Sequence, residues 1–242
     1  MSAIKDDRGY NQCWMPSKAW LARTDRRCNV IVKNFDKKKA KILEIGCGTG
    51  LLSNLIAGRN KDYQVVGTDI CRPFIKKAAN RFKRKNLKYS VLDFNDKKAV
   101  QKLIQSEGKF DFITGDGILH HLYWELDSTI KQLKSLLKND GKILFLEPNI
   151  LNPYCFLIFK VKSFRVRANL EPGEMAFKKL EIKRILESKE FSKIKIVHKD
   201  FLLPNTPAFM IGFVSLASNC LEYIPLINKL SQSIFISAQL SK

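Results

Sequence analysis

The chain has 242 residues, 45% of them apolar, which is enough to bury one α/β core; a single domain over 1–242 is expected, and long disorder is excluded. Its formal net charge of +20, from 43 Lys+Arg against 23 Asp+Glu, directs attention to anionic partners, nucleic acid or an acidic membrane. The six cysteines form no C-x-x-C pair and no histidine stands at zinc-ligand spacing, so no disulfide framework and no metal site are read from them.

Residues 1–36 read as an irregular arm ending at Pro16, then a covering helix over roughly 18–34 capped by Ser17 and carrying Arg23, Arg26 and Arg27. The start MSAIKDDRGY has no apolar h-region, and a cytoplasmic, reducing location is the expectation. KILEIG at 41–46 predicts a first strand stopped by glycine, and the apolar spacing of GTGLLSNLIAGR predicts a helix closed by Gly58. VVGTDI at 65–70 and Arg72–Lys85 repeat the strand and helix. YSVLDF at 89–94, Lys97–Gln105, FDFITG at 110–115, Glu125–Leu137 and KILFLE at 142–147 continue it, the last strand following the Asn139-Asp140-Gly141 turn signal. Such alternation predicts a doubly wound, mostly parallel, Rossmann-like sheet with helices on both faces.

Residues 150–175 interrupt the rhythm with prolines and the apolar run YCFLIFKV. A helix over 176–189, a strand over 194–201 and a closing strand over 234–240 are expected around a second insertion, 202–230, which contains AFMIGFVSLA. Neither insertion holds the eighteen or more apolar residues of a spanning helix.

The chemistry concentrates at strand ends. Glu44-Ile45-Gly46-Cys47-Gly48-Thr49-Gly50 leaves a strand and enters a helix, where glycines let backbone N–H groups approach a ligand. A dinucleotide fingerprint needs glycine at 51, and the residue is Leu51; no Gly-Lys-Ser/Thr follows for a triphosphate. Asp69, nineteen residues after Gly50, suits the two hydroxyls of a ribose, and Asp93-Phe94 suits an adenine amino group and ring. Each aspartate could instead cap the next helix.

LEIGCGTG at 43–50, VVGTDI at 65–70, LDF at 92–94, FDFITGDGILHHL at 110–122 and LKNDGKILFLEPN at 137–149 together resemble the class I S-adenosylmethionine-dependent methyltransferases, within the broad group acting on small molecules, quinone-like lipids and glycans. The resemblance implies a seven-stranded sheet of order 3-2-1-4-5-7-6. It implies S-adenosylmethionine as cofactor, with Glu44, Gly46, Cys47, Gly48, Thr49 and Gly50 around its methionine part and Asp69 on the ribose. Ile70, Asp93 and Phe94 would border the adenine, and Gly115 and Asp116 would lie beside the cofactor. His120 and His121 are candidate bases or acceptor-orienting groups, with packing as the alternative. Glu147, beside Asn149, either touches the acceptor or holds the turn.

The leading function is O-methylation of a small molecule, sugar or lipid-linked saccharide. The apolar and basic insertions suit a lid, a dimer contact, or a patch on an anionic membrane surface, which would place the protein peripherally at the inner face. An RNA methyltransferase using the basic surface and a non-catalytic binding or scaffold protein are the alternatives; for nucleic acid, the Asn/Asp-Pro-Pro-aromatic signature is missing, since Gly115-Asp116-Gly117-Ile118 stands there.

Overall fold

The structure is a computed structural model and describes residues 17–241; the arm expected over 1–16 lies outside the described residues. Helix α1 spans Lys18–Val32, with Ser17 as its cap, the Ser17 hydroxyl accepting the Trp20 N–H at 3.0 Å. Strand β1 (Ala40–Ile45), helix α2 (Leu51–Arg59), β2 (Tyr63–Asp69), α3 (Arg72–Arg81), β3 (Leu87–Val91), α4 (Lys97–Glu107) and β4 (Phe110–Asp116) alternate as the periodicity predicts. A 3-10 turn, Leu119–Glu125, leads into α5 (Leu126–Leu136) and β5 (Leu137–Pro148). Then come α6 (Pro153–Lys160), α7 (Lys162–Arg167), α8 (Lys179–Ser188), β6 (Phe191–Lys199), α9 (Ile211–Leu221) and β7 (Ser233–Leu240).

The seven strands form one sheet in the order β3-β2-β1-β4-β5-β7-β6, with β7 antiparallel to both neighbours. This is the mostly parallel, doubly wound topology expected. Alternation along each strand feeds two cores: Ile42, Phe112, Leu144, Leu146 and Phe235 meet Cys28, Ile31, Leu52 and Ile56, whereas Leu43, Ile113, Phe145 and Ile236 meet Val100, Leu133 and Leu186. Chain order reverses between β1 and β4, so a crevice opens at their carboxyl ends, where open α/β sheets take ligands.

Three local expectations are corrected. Gly58 lies inside α2, which continues to Arg59. Strand β3 ends at Val91, so Asp93 and Phe94 occupy the turn after it instead of its last positions. Asn139-Asp140-Gly141 sits within β5: pairing jumps from Phe110↔Leu137 to Phe112↔Lys142, and Asp140 takes a φ of 62° in the resulting bulge.

Helix α1 is fastened to the sheet by charge. The buried Arg27 guanidinium donates through Nε to Asp200 at 3.0 Å, through Nη1 to Asp116 and through Nη2 to the Ser233 hydroxyl, linking the ends of β4, β6 and β7. Arg23, one turn earlier, adds a contact to Asp200 at 3.3 Å. Burial alone would push the Asp200 carboxyl up, but Arg27 and Arg23 more than reverse this and hold it below the usual carboxylate range. Its stabilising contribution is therefore present above the unfolded-state pKa and is lost as pH falls through the depressed folded value. Replacing Arg27 with Met removes the cation from Asp116 and leaves Asp200 to Arg23 alone at close range, and is expected to cost about 3–5 kcal/mol in urea unfolding at pH 7.

Candidate active site at the carboxyl edge of the sheet

The glycine turn after β1 takes three left-handed residues, Gly46, Gly48 and Gly50, at φ of 64°, 52° and 83°. A β-carbon on Gly46 would meet Ile118 at 2.5 Å, and one on Gly50 would meet the Tyr89 hydroxyl at 2.5 Å and Ala78 at 2.7 Å. One on Gly48 would meet nothing within 4 Å. Two of the glycines thus permit packing, and Gly48 presents bare backbone to open space.

Asp69, half-buried at the end of β2, closes this turn by accepting the Gly48 N–H at 2.8 Å on one oxygen and the Cys71 N–H at 2.9 Å on the other. A carboxylate has acceptor sites on both oxygens, the acceptors that two ribose hydroxyls would meet. Glu44 lies under the turn, bonded by the Ser53 hydroxyl, with its own carbonyl accepting from Thr68 at 2.9 Å. Burial, reinforced by Asp116 and Asp69, pushes the Glu44 carboxyl up to about 8. Burial, then Glu44 and Asp69, raises the Cys47 thiol well above its ordinary value, so it is inert. Thr49 is buried and Ile70 half-buried beside them. Asp93 accepts the Asn95 N–H at 2.9 Å, whereas Phe94 belongs to the core that contains Leu92 and Val100.

Asp116 and Asp69 lie near enough to Glu44 to reinforce the effect of burial on its carboxyl. A sulfonium or ammonium group entering beside Glu44 and Asp69 would favour the ionised form of the Glu44 carboxyl. The open position before Gly48 and the acceptors of Asp69 complete a site whose residues fit S-adenosylmethionine. Gly115, the penultimate residue of β4, is buried, and a β-carbon there would strike Ile118 at 2.6 Å and Phe145 at 2.9 Å. Asp116 is held by Arg27.

The histidine pair stands in the 3-10 turn beyond β4, its rings 4.2 Å apart. Glu147, fully buried at the end of β5, accepts the N–H groups of Ile118, Leu119 and His120 at 3.0, 2.7 and 3.2 Å and lies 3.0 Å from His120 Nδ1. Its place is behind His120, so it is a positioning residue whose influence on an acceptor would pass through that imidazole. Burial, then His121, holds the His120 imidazole below its usual pKa against the pull of Glu147 and Glu174. Glu174, buried in the loop before α8, lies 3.2 Å from His121 Nδ1.

Arg27, Asp200 and Glu174 carry no local motif and escape sequence reasoning. Only the placement of Arg23 and Arg27 on one helical face, four residues apart, hints at a shared buried partner.

Residues 43–143 match the family model described as a methyltransferase domain. The chain is 31% identical over 111 residues to malonyl-[acyl-carrier protein] O-methyltransferase of Acetivibrio thermocellus, covering 45% of this chain and 36% of that protein. It is 33% identical over 130 residues to ubiquinone biosynthesis O-methyltransferase of Pelagibacter ubique, covering 52% and 51%. The aligned region therefore spans about half or less of either relative. A solved SAM-dependent methyltransferase from Anabaena variabilis superposes with a TM-score of 0.64 at 17% identity, covering 100% of this chain and 99% of that one, a likeness of fold.

A cationic ligand favours ionised Glu44, so binding S-adenosylmethionine below pH 8 is expected to release a proton. Calorimetric affinity should rise with pH from 6.5 toward 8, by up to about tenfold per unit, and level off above. Glu44→Gln should flatten that profile. In the absence of cofactor, the raised Glu44 pKa means stability lost as pH climbs from the ordinary carboxylate range toward 8.

Proposed function

We propose that this class I S-adenosylmethionine-dependent methyltransferase domain transfers a methyl group to a hydroxyl of a small molecule, sugar or lipid-linked saccharide that carries an apolar portion. The bound cofactor supplies a methyl carbon made electrophilic by its sulfonium. Glu44, the Gly46–Gly50 turn and Asp69 hold it against the sheet edge, and Asp116, paired with Arg27, lies nearby. Glu147, by accepting from Nδ1, leaves a lone pair on His120 Nε2. An acceptor hydroxyl becomes acidic as its new bond forms, and that lone pair answers the demand. The two curated relatives are O-methyltransferases by name, which supports oxygen as the acceptor atom.

The observation that carries the apolar half of the proposal is the orientation of α9. Its polar side faces the protein: Arg26 donates to the Ser215 carbonyl, the Asn219 side chain and the Ser218 hydroxyl, each at 3.0 Å. Its apolar side faces outward, with Phe213 72% and Leu216 67% exposed, next to Phe209 at 87%. A helix covering a sheet does the reverse. The first insertion shares this character, exposing Tyr154, Phe156, Leu157 and Val166 among Lys160, Lys162 and Arg167. Asn149 and Asn152 tie the two insertions together, donating to the carbonyls of Lys229, Ser231 and Leu230 at 2.9, 2.8 and 2.6 Å. An apolar rim with basic flanks suits an acceptor presented from an anionic lipid surface, consistent with peripheral attachment at the inner face of a membrane. No helix among the described residues is long and apolar enough to cross one.

Substituting His120 with Gln is expected to lower turnover by about 10²–10⁴-fold while S-adenosylmethionine affinity stays unchanged. Turnover is read as labelled methyl partitioning into the lipid, saccharide or RNA fraction of an extract; label in RNA alone would replace the proposed acceptor class. The Phe213→Glu, Leu216→Glu double variant should lose sedimentation with anionic vesicles and keep its cofactor affinity; undiminished sedimentation rejects the membrane role of α9.

A further inference from the structure

The loop between α7 and α8 does more than cover the sheet. Arg165 donates to the carbonyls of Phe159, Glu171 and Glu174 at 2.8, 2.6 and 3.1 Å, and the Met175 N–H donates to the His120 carbonyl at 3.2 Å. These bonds fix the loop against the histidine turn and bring the buried Glu174 carboxylate to both imidazoles. One donor atom each from His120, His121 and Glu174 lies within 4.8 Å of the others.

The tautomer of His120 follows from its surroundings. The Glu147 carboxylate already accepts three backbone N–H groups, and its contact to Nδ1 requires the ring proton there. Nε2 then bears a lone pair, and it faces Glu174 Oε2 across 3.9 Å, beyond hydrogen-bond reach. Two lone-pair donors facing each other in a buried site are stabilised by a cation between them. The carboxylate behind His120 is also the arrangement by which metal-bound histidines are oriented and made more basic. An ion about 2.1 Å from each donor would bring neighbouring donors to about 3.4 Å, a closure of about 1.4 Å at the widest pair.

We propose that His120 Nε2, His121 and Glu174 form a binding site for a divalent first-row transition ion, with Glu147 as the residue that orients His120. Two imidazoles and one carboxylate suit zinc, cobalt, iron or manganese better than magnesium or calcium, which favour oxygen donors throughout. Three protein ligands leave a coordination position open. Its chemical use rests on the methyl-transfer reading. An acceptor hydroxyl that occupies the open position loses its proton to water more readily. The O–CH₃ bond then forms as the S–CH₃ bond breaks, and the electron pair of the broken bond stays on sulfur as a neutral thioether.

The test uses the full chain, stripped with chelator and titrated with Co²⁺, whose visible absorption reports coordination, then challenged with Zn²⁺. One equivalent is expected to bind and be displaced by zinc, with a rise in melting temperature. Glu174→Gln and His121→Ala should each weaken binding by tenfold or more, and His198→Gln should leave it unchanged. S-adenosylmethionine affinity, measured on the stripped wild type, reports the cofactor site independently: its failure would sink the methyl-transfer reading and leave the ion site standing. Failure of the folded wild type to bind one equivalent of Co²⁺ or Zn²⁺, or unaltered binding in both ligand variants, overturns the proposal.

Discussion

The covering helix and three strand ends at the carboxyl edge are joined by one buried cation. Arg27 enters from the covering helix and holds the ends of β4, β6 and β7 through Asp116, Asp200 and Ser233. Three strands that meet in a sheet need no such tie along their length, because backbone pairing suffices there. At their ends the pairing stops, and the Asp200 and Asp116 carboxylates, drawn out of water there, need a cation. The guanidinium satisfies both and fixes the height of α1 over the crevice. Asp116 is therefore shared between architecture and site, and the position of the covering helix is coupled to the charge that a cofactor would meet.

A second buried acid organises the other side of the crevice. Glu147 gathers three consecutive backbone N–H groups and one imidazole, so the turn after β4 is shaped by the end of β5. The same acid settles which nitrogen of His120 carries a proton. Beyond it, the insertion after β5 folds back through Arg165 and places Glu174 against both histidines. Architecture and chemistry here use the same bonds: the contacts that hold the loop are those that bring the donor atoms together.

The outer surface follows a different logic. Helix α9 is held through serine, asparagine and arginine, and its large apolar side chains point outward. Its partner segment after β5 behaves alike. The apolar runs that sequence analysis singles out are only partly spent on packing: Cys155 and Phe159 join Ile150 and Ala176 in a small cluster of their own, whereas Phe156, Leu157, Phe213 and Leu216 are exposed. They remain at the surface beside the edge where the candidate site lies.

The order of elements, the mostly parallel sheet and the glycine turn were legible in the linear sequence, because periodicity and backbone conformation are local properties. KILEIG and VVGTDI each bury both faces of a strand, and that leaves a continuous apolar run. The family's spacing also brought Glu44, Asp69 and Asp116 to one edge. Strand ends were less legible: β3 stops at Val91, before Asp93 and Phe94, since hydrogen bonding to β2 and not hydropathy decides where pairing ceases. What only the tertiary structure decided is the pairing of distant charges. Nothing near Arg27 announces Asp200, and nothing near the histidines announces Glu174. Nor does a carboxylate ending β5 announce that it faces the backbone of Ile118 to His120 and not the acceptor. Such partners are chosen by which groups are left without water when the sheet closes, and that is a property of the folded whole.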